Sequence, residues 1–145
     1  MEANEFLGFS GRVVSFGKAG ARSAISRAYY AVFHLARQTL EFVASAPPGS
    51  GSSHNLMPFY LMCSSHPDAV TAAHLIADLH NDRIKADYRL DNDRVETQVY
   101  AMVAVETAER VRLLLDSFRA ACAAEPVRQE LADGISKLKG RLGLP

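Results

Sequence analysis

Apolar side chains recur at every third or fourth position along most of the chain, which is the spacing of helices that bury one face. The clearest example lies between Ala21 and Val43, and a second pattern follows Pro67, a residue that suits the first turn of a helix. The first stripe consists of Ile25, Tyr29, Val32, Ala36, Leu40 and Val43. The second consists of Ala69, Ala72, Ile76 and Leu79, and Arg83 continues it. No segment shows the alternation of a strand.

Further segments extend the helical pattern on both sides of these stripes. A short helix is predicted around Glu5 to Phe16, and a short apolar element interrupted by Pro58 is predicted over 54–65. Asp93 and Glu96 resemble a capping box, which predicts the start of a long helix there. The apolar positions of that helix are Val95, Val99, Met102, Val105, Ala108, Val111, Leu114, Phe118 and Cys122. Their stripe drifts around the axis, so this helix is expected to touch more than one neighbour.

The last segment, from Pro126 to Leu142, predicts an amphipathic helix weakened by Gly134 and Gly140. Its apolar face could be buried on its own bundle, on a second copy of the chain or on a partner protein. The pattern as a whole predicts an all-α fold: an up-and-down bundle of four to five helices plus a C-terminal amphipathic helix. The expected division is a bundle over 1–124 and a helical extension over 125–145. A mobile loop rich in Pro, Gly and Ser is expected from Ser45 to Asn55.

Composition and charge limit the kinds of partner that the chain is expected to bind and the compartment in which it is expected to occur. The 145 residues are about one domain, and 16 basic residues balance 16 acidic ones. Non-specific nucleic-acid binding through net charge is therefore not expected, although a local basic patch is compatible with the balance. Two isolated cysteines indicate a reducing compartment, and no signal peptide or membrane span is predicted. The expected location is the cytoplasm.

The helix from Ala21 to Val43 carries polar residues opposite its apolar stripe. Arg27 and His34 are seven residues apart, about 20° around the axis, and Tyr30 lies four residues before His34. These three side chains are therefore expected to face an interface or a cleft. The structural alternative is that Tyr30 and His34 are half-buried bundle residues with satisfied polar tips, while Arg27 extends into water.

Arg83 is the most informative single residue, because a guanidinium on a core-facing stripe is costly without a partner or a ligand. Asp87, four residues on, is the expected ion-pair partner, and Tyr88 can donate a hydrogen bond. A purely structural Arg83–Asp87 pair is the alternative. The histidines His54, His66, His74 and His80 are scattered and match no zinc motif, so neither a metal site nor a cofactor is predicted.

Three motifs occur together in this order: "SRAYYAVFHLA", then "SHNLMPFY" after the loop, then "RIKADY" before a long helix rich in alanine and valine. Over roughly Ala21 to Ala120 the chain resembles the HEPN superfamily, and in particular its small stand-alone branch in bacteria and archaea. The resemblance implies a helical bundle that dimerises through its polar faces. It also implies His54 as the histidine of the serine–histidine motif after the loop.

Many HEPN proteins are metal-independent endoribonucleases that act as toxins with a nucleotidyltransferase antitoxin, or in antiviral defence. The resemblance therefore implies a cleft in which Arg27, His34 and Arg83 are catalytic and Tyr30, Asp87, Tyr88 and His54 bind the substrate. The family signature places a histidine shortly after the arginine, where this chain has Asp87 and Tyr88. A second hypothesis is a non-catalytic homodimer that binds a nucleotide or nucleic acid, or docks a nucleotidyltransferase. A third is that the polar cluster only fixes the register of a dimer.

Overall fold

Helices account for nearly all of the regular structure. The structure is a computed structural model and describes residues 2–44 and 53–145. In these ranges it contains α1 Ala3–Val13, α2 Gly17–Ala44, α3 Ser53–Leu61, α4 Pro67–Tyr88, a 3₁₀ turn Asp93–Glu96, α5 Gln98–Ala121 and α6 Glu125–Leu142. The described residues contain no strand. The predicted all-α helical bundle is confirmed.

The central element is α2, which packs against α1, α4 and α5. All six residues of its predicted apolar stripe are buried, from Ile25 to Val43. The four apolar residues of the predicted α4 stripe, from Ala69 to Leu79, are buried as well. The two stripes meet in one core, so the turn-by-turn spacing correctly identified the faces on which these helices pack.

The beginning of the fifth helix differs from the prediction. Asn92 accepts a hydrogen bond from the backbone of Arg94 and caps the 3₁₀ turn, whereas α5 starts at Gln98 after the cap Thr97. The predicted capping box is therefore wrong, and Glu96 instead forms an ion pair with Arg22. The predicted stripe is confirmed at Val95, Ala108, Val111, Phe118 and Cys122, which are buried. It is wrong at the start of α5, where Val99 and Met102 are exposed and Ala101 and Ala104 are buried instead. Small alanines allow α5 to approach its neighbours closely.

The last helix, α6, packs on the same chain, against α3 and α2. Leu131 and Ile135 are buried there, whereas Leu142 is exposed. A Cβ at Gly134 would lie 2.8 Å from the Cβ of Cys63. This glycine therefore lets α6 approach the end of α3, a role that its cost to helix propensity does not reveal.

The chain between α2 and α4 was predicted to hold a loop and a short apolar element. The predicted loop from Ser45 to Asn55 lies mostly outside the described residues, which resume at Ser53 as the first residue of α3. Pro58 is inside α3, and Met57, Tyr60 and Leu61 on this helix are buried. Among the described helices, none combines the length and apolar character needed to cross a bilayer.

Candidate functional site

The guanidinium of Arg83, near the end of α4, lies at the centre of a cluster of aromatic and polar side chains. Only 15% of its side chain is exposed. Its Nη2 donates hydrogen bonds to Tyr30 Oη at 2.8 Å and to Tyr88 Oη at 3.2 Å. Its Cζ lies 5.3 Å from the ring centroid of Tyr30 and 5.0 Å from that of Tyr88, which is cation–π distance. Two tyrosines from α2 and α4 thus hold the guanidinium in place.

Asp87 is the ion-pair partner of Arg83, as the four-residue spacing predicted. Asp87 Oδ2 lies 2.8 Å from Arg83 Nε, and Ser26 Oγ donates a hydrogen bond of 3.2 Å to the same oxygen. The Nε–H of Arg83 is not aimed at Asp87, and it has no hydrogen-bond acceptor among the described residues. Burial alone would lower the pKa of Arg83, but Tyr30 and Asp87 outweigh it, so the pKa is raised and the charge is retained.

Two imidazoles form a stack beside this arginine. Tyr29 Oη and His54 Nδ1 share a hydrogen bond of 2.7 Å. The His54 ring stacks on Phe33 at 4.2 Å between centroids and on His80 at 5.9 Å. The His80 ring also stacks on Tyr29, at 5.0 Å. Because His80 lies three residues before Arg83 on α4, both side chains project from the same side of that helix.

The electrostatics of the stack favour neutral imidazoles. Burial lowers the pKa of His54, and the neighbouring His80 and Arg83 lower it further. Burial and then Arg83 likewise lower the pKa of His80. Burial raises the pKa of Tyr29, which therefore keeps its hydroxyl proton. At neutral pH both histidines are in the form that can accept a proton.

The polar stripe of α2 is partly covered by α1 of the same chain. The ring of Phe6 stacks on His34 at 5.6 Å and lies 6.4 Å from Tyr30. The guanidinium of Arg27 lies 5.9 Å from the centroid of Phe6 and 5.8 Å from that of Tyr30. Burial, followed by Arg37, lowers the pKa of His34. The stripe is thus joined to Arg83 through Tyr30, while His34 faces Phe6.

The predicted residues therefore form two adjoining groups. Arg83, Tyr30, Asp87 and Tyr88 are in direct contact, and His54 lies with His80 in an open groove of about 420 Å³ between α3 and α4. Arg27 and His34 flank the cluster along α1.

Sequence reasoning missed Tyr29 and His80 as members of this site. Tyr29 was assigned to the core stripe, where its hydroxyl needs a partner when buried. His80 was treated as a scattered histidine, although its three-residue offset from Arg83 was the available signal.

Within 2–44 and 53–145, no three His, Cys, Asp or Glu side chains are grouped as a metal ion would require. Comparison of the chain with protein-family models, with curated proteins and with solved structures gave no match. The candidate site therefore has to be interpreted from its own geometry and chemistry.

Proposed function

We propose that this chain is a HEPN-like protein that acts on RNA, as a metal-independent endoribonuclease of a toxin or defence system in the cytoplasm. The motif resemblance supports the class of protein. The observation that carries the activity is the position of the neutral His54–His80 pair beside a tyrosine-held Arg83, next to an open groove. Base, acid and cation are the three groups that cleavage at a ribose 2′-hydroxyl requires.

In the proposed reaction one imidazole of the His54–His80 pair accepts the proton of the 2′-hydroxyl. The 2′-oxygen then forms a bond to phosphorus, and the bond between phosphorus and the 5′-oxygen breaks. The imidazole that became protonated in the first transfer returns that proton to the departing 5′-oxygen, giving a 2′,3′-cyclic phosphate and a 5′-hydroxyl. Arg83 compensates the negative charge on the non-bridging oxygens. Tyr30 and Tyr88 orient the guanidinium and present ring faces to bases.

A second candidate function is supported by Asp87. Its carboxylate lies 2.8 Å from the guanidinium, close to where the family signature has a histidine. A carboxylate there partly neutralises the cation and would repel a phosphate, which favours recognition without cleavage. The chain would then be a dimer that binds RNA or a nucleotide, or that docks a partner nucleotidyltransferase.

The two functions are separated by incubating the purified protein with a labelled single-stranded RNA in EDTA. The endoribonuclease predicts fragments that end in a 2′,3′-cyclic phosphate. His80→Asn should slow cleavage by roughly 100-fold to 10,000-fold, the range for loss of a general acid or base. His66→Asn is the matched control, because His66 caps α4 at its far end and asparagine also caps helices.

Intact RNA that nevertheless binds to the wild-type chain would favour the second function. Equal losses in His80→Asn and His66→Asn would contradict the assignment of His80. No cleavage together with no RNA binding would overturn the endoribonuclease and the recognition of RNA.

A further inference from the structure

A second concave surface lies between α1 and α2, next to the Arg83 cluster. It encloses about 460 Å³ and is lined by Glu5, Phe6, Phe9, Arg12 and Arg27. We propose that this α1–α2 groove binds one nucleotide of the RNA strand, adjacent to the nucleotide at Arg83. The inference rests on the proposed function and adds a binding subsite to it.

The two phenylalanines supply the surface for a base. Phe9 is 41% exposed and Phe6 is half-buried, so both present ring surface to the groove. Because a phenyl ring has no polar group, hydrogen bonding to water does not account for the exposure of these two rings. Bases of any identity stack on such rings, which is how single-stranded nucleic acid is held without reading its sequence.

The two arginines supply the charge for a phosphate. Arg12 and Arg27 are exposed and line the same groove, and neither forms an ion pair with a described residue. Exposed Arg37, in contrast, is paired with Glu41. The guanidinium of Arg27 is positioned over Phe6 and Tyr30, so its charge lies at the boundary between the groove and the Arg83 cluster.

The two sites are continuous through Tyr30. This tyrosine accepts a hydrogen bond from Arg83 on one side and lies beside Phe6 and Arg27 on the other. A strand with one phosphate at Arg83 would therefore have its next phosphate near Arg27 and a base near Phe6 and Phe9. Glu5 favours a base over a phosphate at its position in the groove, because its carboxylate repels phosphate and can accept a hydrogen bond from the amino group of a base.

The test measures binding of the full-length chain to a fluorescein-labelled tetranucleotide RNA with 2′-O-methyl riboses, which block cleavage at the 2′-oxygen. Fluorescence anisotropy gives the dissociation constant at several salt concentrations. Phe9→Ala should weaken binding roughly fivefold to 100-fold, the usual effect of removing one base-stacking ring. Phe9→Trp should restore it, and its indole fluorescence should be quenched by the RNA, since the chain has no other tryptophan.

Charge is tested with Arg12→Gln, which should reduce the slope of log affinity against log salt by about 0.7 for one lost phosphate contact. Phe42→Ala and Arg37→Gln are the matched controls, as an exposed phenylalanine and an exposed arginine on α2 outside the groove. Both should bind the RNA as the wild type does.

RNA binding that is unchanged in Phe9→Ala and Arg12→Gln would overturn the subsite while leaving the proposed function intact. If Phe9→Ala changes the sedimentation coefficient but not the RNA affinity, the groove contacts a second copy of the chain. That result would also overturn the nucleotide subsite. If guanosine or adenosine monophosphate competes as well as the tetranucleotide, the groove binds free nucleotides and not a strand. Absence of any binding by the wild type would reject the proposed function itself.

Discussion

Arg22 and Arg83 are buried to nearly the same extent beside the C-terminal part of α4, but their side chains have different roles. The side chains of Arg22 and Arg83 are 12% and 15% exposed, and both contact the C-terminal part of α4 or the residues after it. Arg22 comes from α2 and reaches across to the end of α4, whereas Arg83 belongs to α4 itself. The difference between them lies in what their donors contact.

The donors of Arg22 are saturated by the protein. Its Nε and Nη2 donate to Glu96 Oε1 at 3.1 and 2.9 Å. Its remaining hydrogen bonds go to backbone carbonyls of the segment that ends α4, those of Lys85, Ala86, Arg89, Leu90 and Asn92. Lys85 O also accepts from the backbone N–H of Arg89, and Arg89 O from that of Asn92. One guanidinium thus adds donors to the carbonyls at the end of α4 and fixes the following turn.

The donors of Arg83 are held by groups that a ligand could replace or join. Its two phenolic partners are tyrosines, of which Tyr88 is 65% exposed. Its carboxylate partner, Asp87, keeps 27% of its side chain accessible. A largely buried arginine whose donors are all taken up by one carboxylate and several backbone carbonyls stabilises a fold. One held by tyrosines and an accessible carboxylate beside an open groove is suited to bind an anion.

The largest expected effect concerns Arg83→Met in the RNA-cleavage assay. Loss of a group that stabilises transition-state charge should reduce the rate roughly 100-fold to 1,000-fold. The free energy of unfolding should change by about 1 kcal/mol or less, because two of the three lost partners, Tyr88 and Asp87, are accessible to water. Urea denaturation of the same variant measures this second quantity, and a large loss of stability would make Arg83 a structural arginine.

Arg22→Met should give the reverse result. The free energy of unfolding should fall by roughly 2 to 4 kcal/mol, because the largely buried carboxylate of Glu96 and the carbonyl of buried Ala86 lose their donor. Urea denaturation is again the measurement, with Arg27→Met as the control at an exposed position on the same helix, expected within about 0.5 kcal/mol of the wild type. A small effect at Arg22 would mean that water replaces the guanidinium and that the two arginines do not differ as argued.

The smallest expected effect is the dependence of stability on pH. The pKa values of His34, His54 and His80 are lowered from 6.5 in the folded chain, first by burial in each case. The unfolded chain therefore binds more protons below pH 6.5, so stability is fully present above that pH and declines as the pH falls towards the folded values. Glu96 contributes in a lower range, because its pKa is lowered from 4.5 by hydrogen bonds from Lys18 and Arg22.

Urea midpoints at pH 7.5 and pH 5.5 isolate the histidines from Glu96. The midpoint should be lower at pH 5.5, and the difference should shrink in His80→Asn. An identical difference in wild type and variant would show that His80 is not buried in its neutral form.

The fold was largely predictable because α2 and α4 carry regular apolar stripes, and such a stripe identifies the face of the helix that is buried. The pairing of Arg83 with Asp87 was predictable as well, since it joins residues four apart on one helix. The prediction for α5 failed at Val99 and Met102, because several faces of that helix are apolar and local spacing cannot choose among them. His80 and Tyr29 were missed because their contacts lie between α2, α3 and α4.

By itself the sequence determined the helical character of the chain, the faces that α2 and α4 bury and the presence of one arginine that needed a partner. These are local properties, set by a 3.6-residue period and by the cost of burying a charge. Only the tertiary structure decided that Arg22 closes the end of α4, that α6 packs on its own chain, and that His54 and His80 stack beside Arg83. Those outcomes depend on contacts between segments far apart in the chain, 25 residues for Tyr29 with His54 and 74 for Arg22 with Glu96, and no local pattern specifies them.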